Sequence, residues 1–301
     1  MSNQENAQEV SVTPETPVYE KRRSLWTDAF NRLARNKLAV AGGVIVLLMI
    51  IIALFAPLIA PYSPSQQNYS VILQPPSTSY IMGTDLLGRD IFSRLVYGAR
   101  ISLSVGIFTQ IIILLIGLPV GAVAGLAGGR VDNLLMRLTD IIYAFPDLLL
   151  IILFKFIFGG GIFTIFLAIG IVSWTNIARL IRGQILSLRE RDFITAARTI
   201  GAGNLRIFIH HLLPNSLSPI IVTVTFSVPR AIFAEAALSY IGIGIKPPTP
   251  SWGTMIQEGS QAIFASPYAT LFPALAIALL MIAFSFLGDG LRDALDPRMR
   301  R

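Results

Sequence analysis

Long apolar runs separated by short polar segments set the plan of this chain. Leu38 to Ala60 carries no charge and can cross about 30 Å of hydrocarbon, with Pro57 and Pro61 marking its end. Ile101 to Gly129 is again uncharged, and Pro119 predicts a kink inside it. Ile141 to Phe158 predicts a third span despite Asp147 and Lys155, and Gly159, Gly160 and Gly161 turn the chain into a fourth that ends before Arg179. Leu217 to about Ile245 predicts a fifth span containing Arg230 and Glu235, and Tyr268 to Gly288 an uncharged sixth. The reading is an all-α, polytopic membrane protein with six transmembrane helices, the third and fourth forming a hairpin.

The polar segments complete the division. Residues 1–20 are polar, hold Pro14 and Pro17, and lack apolar periodicity, which predicts a disordered tail. Within 21–61, Leu25, Trp26, Phe30 and Leu33 fall at near-helical spacing among charges, predicting an amphipathic surface helix before the first span, with Trp26 at headgroup depth. That span begins too far from the start for an ordinary signal peptide and is read as uncleaved. Residues 62–100 are expected to be an extracytoplasmic loop, 101–291 a five-helix core with a cytoplasmic loop at 183–214, and 292–301 a tail.

Composition agrees with a lipid solvent: 53% of residues are hydrophobic and 14% charged, against roughly 25% charged in soluble domains. The formal charge of +7 lies in loops between apolar spans and not on a soluble face, which argues against nucleic acid as a partner. There is no cysteine, and the adjacent His210 and His211 make a poor metal set, so no metal or cofactor is expected. Of 24 Lys and Arg, six precede the first span, two follow the second, six lie between the fourth and fifth, and four end the chain. The opposite loops hold only Arg89, Arg94, Arg100 and Lys246, which predicts that both termini are cytoplasmic in a multi-pass cell-membrane protein.

The segment between the fourth and fifth spans predicts two short helices around a glycine break. Asp192 to Ile200 favours helix, Gly201 and Gly203 permit positive φ, Asn204 is a good N-cap, and Pro214 is expected to separate this unit from the fifth span. Its order of Thr195-Ala196-Ala197, Gly201 and Leu213-Pro214 resembles the cytoplasmic signature of the permease subunits of ATP-binding-cassette importers, which reads Glu-Ala-Ala, Gly and Leu-Pro. Thr195 stands where that family has its first glutamate, and Glu190 or Asp192 is the available substitute. The resemblance implies the type I importer permease fold and a coupling element that docks on an ATPase, with contacts at Asp192, Thr195, Ala196, Ala197, Gly201, Ala202, Leu205 and Pro214.

Further motifs narrow the resemblance to the peptide and nickel permeases: Gly83-Thr84-Asp85-Leu86-Leu87-Gly88-Arg89-Asp90, Ala144-Phe145-Pro146, Glu235-Ala236-Ala237-Leu238-Ser239-Tyr240, Pro250-Ser251-Trp252-Gly253, and Gly288-Asp289-Gly290-Leu291-Arg292-Asp293. The implied partners are a homologous second permease, two cassette ATPases and an extracytoplasmic peptide-binding protein, with di- or oligopeptide or nickel as cargo. Thr84, Asp85, Arg89 and Asp90 are candidates either for contact with that binding protein or for an ordinary turn with an exposed ion pair.

Arg230 is costly at mid-bilayer and should face a partner or a wet cavity; it, Glu235 and Asp147 are the candidate pore-lining residues. Arg230 and Glu235, five residues apart, should not pair on one helix. The alternative role for Asp147 is to bind backbone freed at Pro146, and Lys155 is expected to snorkel. The chain has no phosphate-binding loop, so ATP hydrolysis is expected in a separate subunit and no catalytic residue is nominated. A secondary transporter would show paired repeats with broken helices, and an intramembrane enzyme a converging nucleophile and base; neither pattern is evident.

Overall fold

The computed structural model describes residues 25–296, with side chains from Thr27 onward. The predicted tail at 1–20 and the placement of Trp26 lie outside that description. Among the described residues the chain is helical, with five single helices long and apolar enough to cross a membrane and one bent pair that together makes a sixth.

Helix α1 (Leu25–Arg35) is the amphipathic segment, and Asn36 ends it by capping α2 (Lys37–Leu54), its side chain accepting from the Ala39 amide at 3.2 Å. The first span breaks at Phe55, and α3 (Ala56–Ile59) restarts with Pro57 in its first turn, where a missing N–H costs no hydrogen bond. Helix α4 (Ile91–Ala127) is 37 residues long, ten residues earlier in its start than predicted, so the preceding loop ends at Asp90 and not at Arg100. Asp90 is the reason: its carboxylate accepts the Ser93 amide at 2.7 Å and caps the helix.

The third span, predicted from Ile141 with a kink at Pro146, is made of α5 (Gly129–Ala144) and α6 (Asp147–Phe158), bent by 95° where Pro146 removes a backbone donor. The fourth span does not stop before Arg179: α7 (Ile162–Arg189) continues because Arg179 and Arg182 are held by acids of α5. Arg182 grips Asp132 at 2.5 and 2.7 Å, and Arg179 meets Asp140 at 2.7 Å while its guanidinium covers the Tyr143 ring. At the hairpin between α6 and α7, Lys155 donates to the Gly161 carbonyl at 3.1 Å and the Thr164 hydroxyl at 3.0 Å. It is buried, so it ties the glycine turn and does not snorkel.

Two short helices follow, α8 (Asp192–Thr199) and α9 (Asn204–Ile207), then a π turn at Phe208–Leu212 and α10 (Leu213–Tyr240). Helix α11 (Trp252–Ser260), between the predicted fifth and sixth spans, begins at a capping box between Ser251 and Thr254. Helix α12 (Tyr268–Leu295) extends seven residues beyond the predicted sixth span, taking in part of the supposed tail.

Small residues let the helices approach. A Cβ added at Gly121 of α4 would lie 2.4 Å from the Ala178 carbonyl oxygen of α7, and Gly117 and Gly125 repeat the close contact one turn to either side. Gly42 of α2 meets α12 at the Ala283 carbonyl in the same way. One apolar cluster joins α2, α4, α10, α11 and α12 around Leu103, Ile232, Trp252 and Leu280. Another, around Ile177, Ile181, Ile185 and Ile194, fastens α8 and α9 to the far end of α4 and α7. Leu58, Leu115, Phe156 and Phe163 remain exposed, as lipid or partner surfaces require.

Candidate functional site

The α8–α9 segment hangs from one end of the bundle. Arg189 at the end of α7 donates to the Gly125 carbonyl near the end of α4 at 3.3 Å, which fixes where the segment starts. Ile194 and Ala197, three residues apart, point inward and are buried; Asp192, Thr195, Ala196 and Thr199 then face out. The helix stops in a Schellman turn: Gly201 N–H donates to the Arg198 carbonyl at 2.9 Å and Ala202 N–H to the Ala197 carbonyl at 3.0 Å, with Gly201 at φ +84°. Gly203 has φ −70° and is itself the N-cap of α9, so the expected cap moves from Asn204 by one residue and the expected positive φ holds at Gly201 alone.

The turn presents Ile200, 86% exposed, and Leu205, 72% exposed, and Phe193 at the start of α8 is also exposed. Large apolar side chains left this open on a polar segment mark an interaction surface. The nominated contacts therefore divide: Asp192, Thr195, Ala196, Gly201, Leu205 and Pro214 are open, Ala202 is half-buried, and Ala197 is corrected to a packing residue because its methyl belongs to the inner cluster. Ile200 and Phe193 were missed; a bulky apolar residue beside the turn glycine was the available signal. Pro214 does not separate the segment from the fifth span. The Leu213 amide bonds the Phe208 carbonyl five residues back, and this wider turn carries the chain into α10 without a break.

The opposite end of the bundle holds a folded cap. Asp85 accepts from Arg89 Nε at 2.7 Å and pairs with Arg94; Arg89 Nη2 and Arg94 Nη1 reach Glu258 of α11 at 2.6 and 2.7 Å. Thr84 donates to the Val71 carbonyl and accepts the Gln74 amide at 2.9 Å. Thr84, Asp85, Arg89 and Asp90 are all buried, so the sequence-based contact with a binding protein is corrected: they build the cap and offer no surface, and their ion pairs are not exposed ones.

Residues 117–301 match the family described as binding-protein-dependent transport system inner membrane component, and residues 24–76 match the N-terminal transmembrane domain of oligopeptide transport permease C. The chain belongs to the binding-protein-dependent transport permeases. It is 44% identical over 284 residues to the oligopeptide transport system permease protein OppC of Bacillus subtilis (strain 168), covering 94% of this chain and 93% of that one. It is 45% identical over 275 residues to the dipeptide transport system permease protein DppC of the same strain, covering 91% and 86%. The glutathione transport system permease protein GsiD of Escherichia coli O6:K15:H31 (strain 536 / UPEC) is 42% identical over 279 residues, covering 92% of each. Among solved structures, the inward-facing MetNI methionine ABC transporter (CY5 native crystal form) matches with a TM-score of 0.58 at 19% identity, over 68% of this chain and 98% of that one. That likeness concerns the fold, which is the ABC importer permease fold.

Within the membrane part of this permease, the three nominated polar residues have different fates. Glu235 is fully buried, its Oε1 accepting from Ser239 at 2.6 Å and from Ser251 at 2.8 Å, so it joins α10 to the start of α11 and is withdrawn as a pore-lining residue. Arg230 is exposed on α10, and, as the five-residue spacing predicts, it does not pair with Glu235. Asp147 is exposed at the first residue of α6, and no hydrogen bond from its side chain to the backbone freed at the bend is present. The hydroxyls of Thr223, Thr225 and Ser227 donate to carbonyls one turn back on α10, which leaves that wall chemically quiet around Arg230.

Proposed function

We propose that this chain is one of two permease subunits of an ATP-binding-cassette importer that moves di- or oligopeptides across the cytoplasmic membrane. The observation that carries the proposal is the open apolar turn at Ile200, Gly201 and Leu205, held on a rigid base by Ile194 and Ala197. In this reading a cassette ATPase covers the turn, and nucleotide-driven closure of two such ATPases is transmitted through α8 to α7 and α10. The excess of basic residues at that end supports a cytoplasmic position for it and for both termini. The cap of residues 60–90 with α11 then faces outward, where a peptide-binding protein delivers cargo, and a homologous second permease completes the pore. Peptide cargo is supported by the names of the relatives, which are oligopeptide, dipeptide and glutathione transport permeases.

The test is purification of the tagged chain from its native membrane in mild detergent, followed by reconstitution and peptide uptake. A cassette ATPase, a second permease and a peptide-type binding protein should co-purify, and uptake should require ATP. A homo-oligomer free of ATPase, or ATP-dependent uptake of a metal chelate in place of peptides, would overturn the assignment.

A further inference from the structure

On the capped end, a partly open cavity of about 370 Å³ lies between α4 and the segment before α11. Two of its walls are Tyr97, Arg100 and Ser104 of α4 and Pro248, Thr249 and Pro250 before α11, and Pro64, Ser65 and Ile101 complete the lining. Tyr97, Arg100 and Ser104 follow an i, i+3, i+7 spacing, which sets them on one face of α4. The lining includes no acidic residue. Among the described residues no ion pair or hydrogen bond engages the side chains of Tyr97, Arg100, Ser104 or Thr249.

The two walls are fixed to each other. Trp252, just after the second wall, donates from its indole to the Leu95 carbonyl at 3.0 Å, and its amide reaches the Ser102 hydroxyl at 3.3 Å, bracketing the α4 wall. Ser251 is anchored on buried Glu235. The cavity is within the usual size range of small-molecule sites, and it offers one exposed guanidinium and three hydroxyls without partners, donors that suit an anion.

We infer that this cavity binds a carboxylate, and that its ligand is the C-terminal carboxylate of a peptide on its way to the pore; the identity of the ligand rests on the transport reading above. Arg100 supplies paired N–H donors that match the two carboxylate oxygens, and Tyr97, Ser104 and Thr249 supply single donors around them. A carrier of varied peptides gains from such a site because the terminal carboxylate is common to all of them while their side chains differ.

The experiment uses the intact complex of both permeases and the ATPases in lipid nanodiscs, without binding protein, and measures binding of radiolabelled trialanine and of trialanine amide. The wild type should bind trialanine at least about tenfold more tightly than the amide, the loss expected for about 1.4 kcal/mol of recognition. R100Q should bind both equally, and T249A should lose a smaller part of the preference. An unchanged preference in R100Q, or no trialanine binding by the wild type, would overturn the inference. So would R100Q losing capture of the binding protein while keeping the trialanine preference, since Arg100 would then serve that protein. Failure of the wild-type complex with its binding protein to import any peptide would instead sink the transport reading, and the two failures are read from different assays.

Discussion

Arg89 and Glu258 are 169 residues apart in the chain and 2.6 Å apart in space. With Asp85 and Arg94 they form two cations and two anions, all buried but the partly exposed Glu258, that fasten the segment after the first span to the helix before the last. The arrangement is balanced in charge, and Asp85 accepts further from the amides of Leu87 and Arg89. Removing one member strands a buried charge, which is the costly way to break such a network.

E258Q should therefore lower the stability of the subunit by about 3–5 kcal/mol. Thermal unfolding of the detergent-purified complex, followed by tryptophan fluorescence near Trp252, checks this. An unaltered midpoint would mean that the cap does not depend on the ion network.

The exposed turn and its buried base should respond differently to the same new charge. I200E and L205E should leave the subunit folded and weaken ATPase retention by about 2 kcal/mol each, close to thirtyfold, as loss of an interface anchor does. A197E should instead destabilise the subunit itself, because its methyl lies in the inner cluster. Quantitative co-purification beside a melting curve separates the outcomes; equal behaviour of the three variants would count against the division.

At Gly201 the constraint is conformational. Nothing lies within 4 Å of an added Cβ, yet φ is +84°, where a β-branched residue is strained by roughly 1–2 kcal/mol. G201V should insert and assemble normally, hydrolyse ATP, and lose uptake, since the turn would be re-aimed. Measuring the ratio of peptide imported to ATP hydrolysed tests this; a normal ratio would remove Gly201 from the coupling role.

Gly121 poses a steric limit. G121L must push α4 away from the Ala178 carbonyl and expose the clusters on both sides, at a cost of at least about 1–3 kcal/mol for overpacking. The expected readout is loss of full-length protein from membranes relative to wild type. Wild-type abundance and melting would show that the helices can separate freely.

Hydrophobic periodicity by itself determined that the chain is helical and polytopic and where most spans lie, and local glycine and capping signals placed a broken helix pair between the fourth and fifth apolar runs. Those features depend on residues near one another in sequence: twenty apolar positions in a row, a glycine after a helical octet, a proline in a first turn. Resemblance carried the coupling assignment, and the local Schellman turn at Gly201 agreed with the turn that the sequence implied.

Tertiary structure alone decided which polar residues are open. Thr84, Asp85, Arg89 and Asp90 read as a surface motif because their neighbours in sequence are glycines and acids, but Glu258, 169 residues from Arg89, comes from elsewhere and closes the network with Arg89 and Arg94. Glu235 read as a pore residue until Ser251, sixteen positions away, was found to hold it. The same is true of the continuation of α7 past Arg179, which needs Asp132 and Asp140 from another helix. In each case the free energy of a charge depends on the partner brought to it by the fold, and no local pattern encodes that distance.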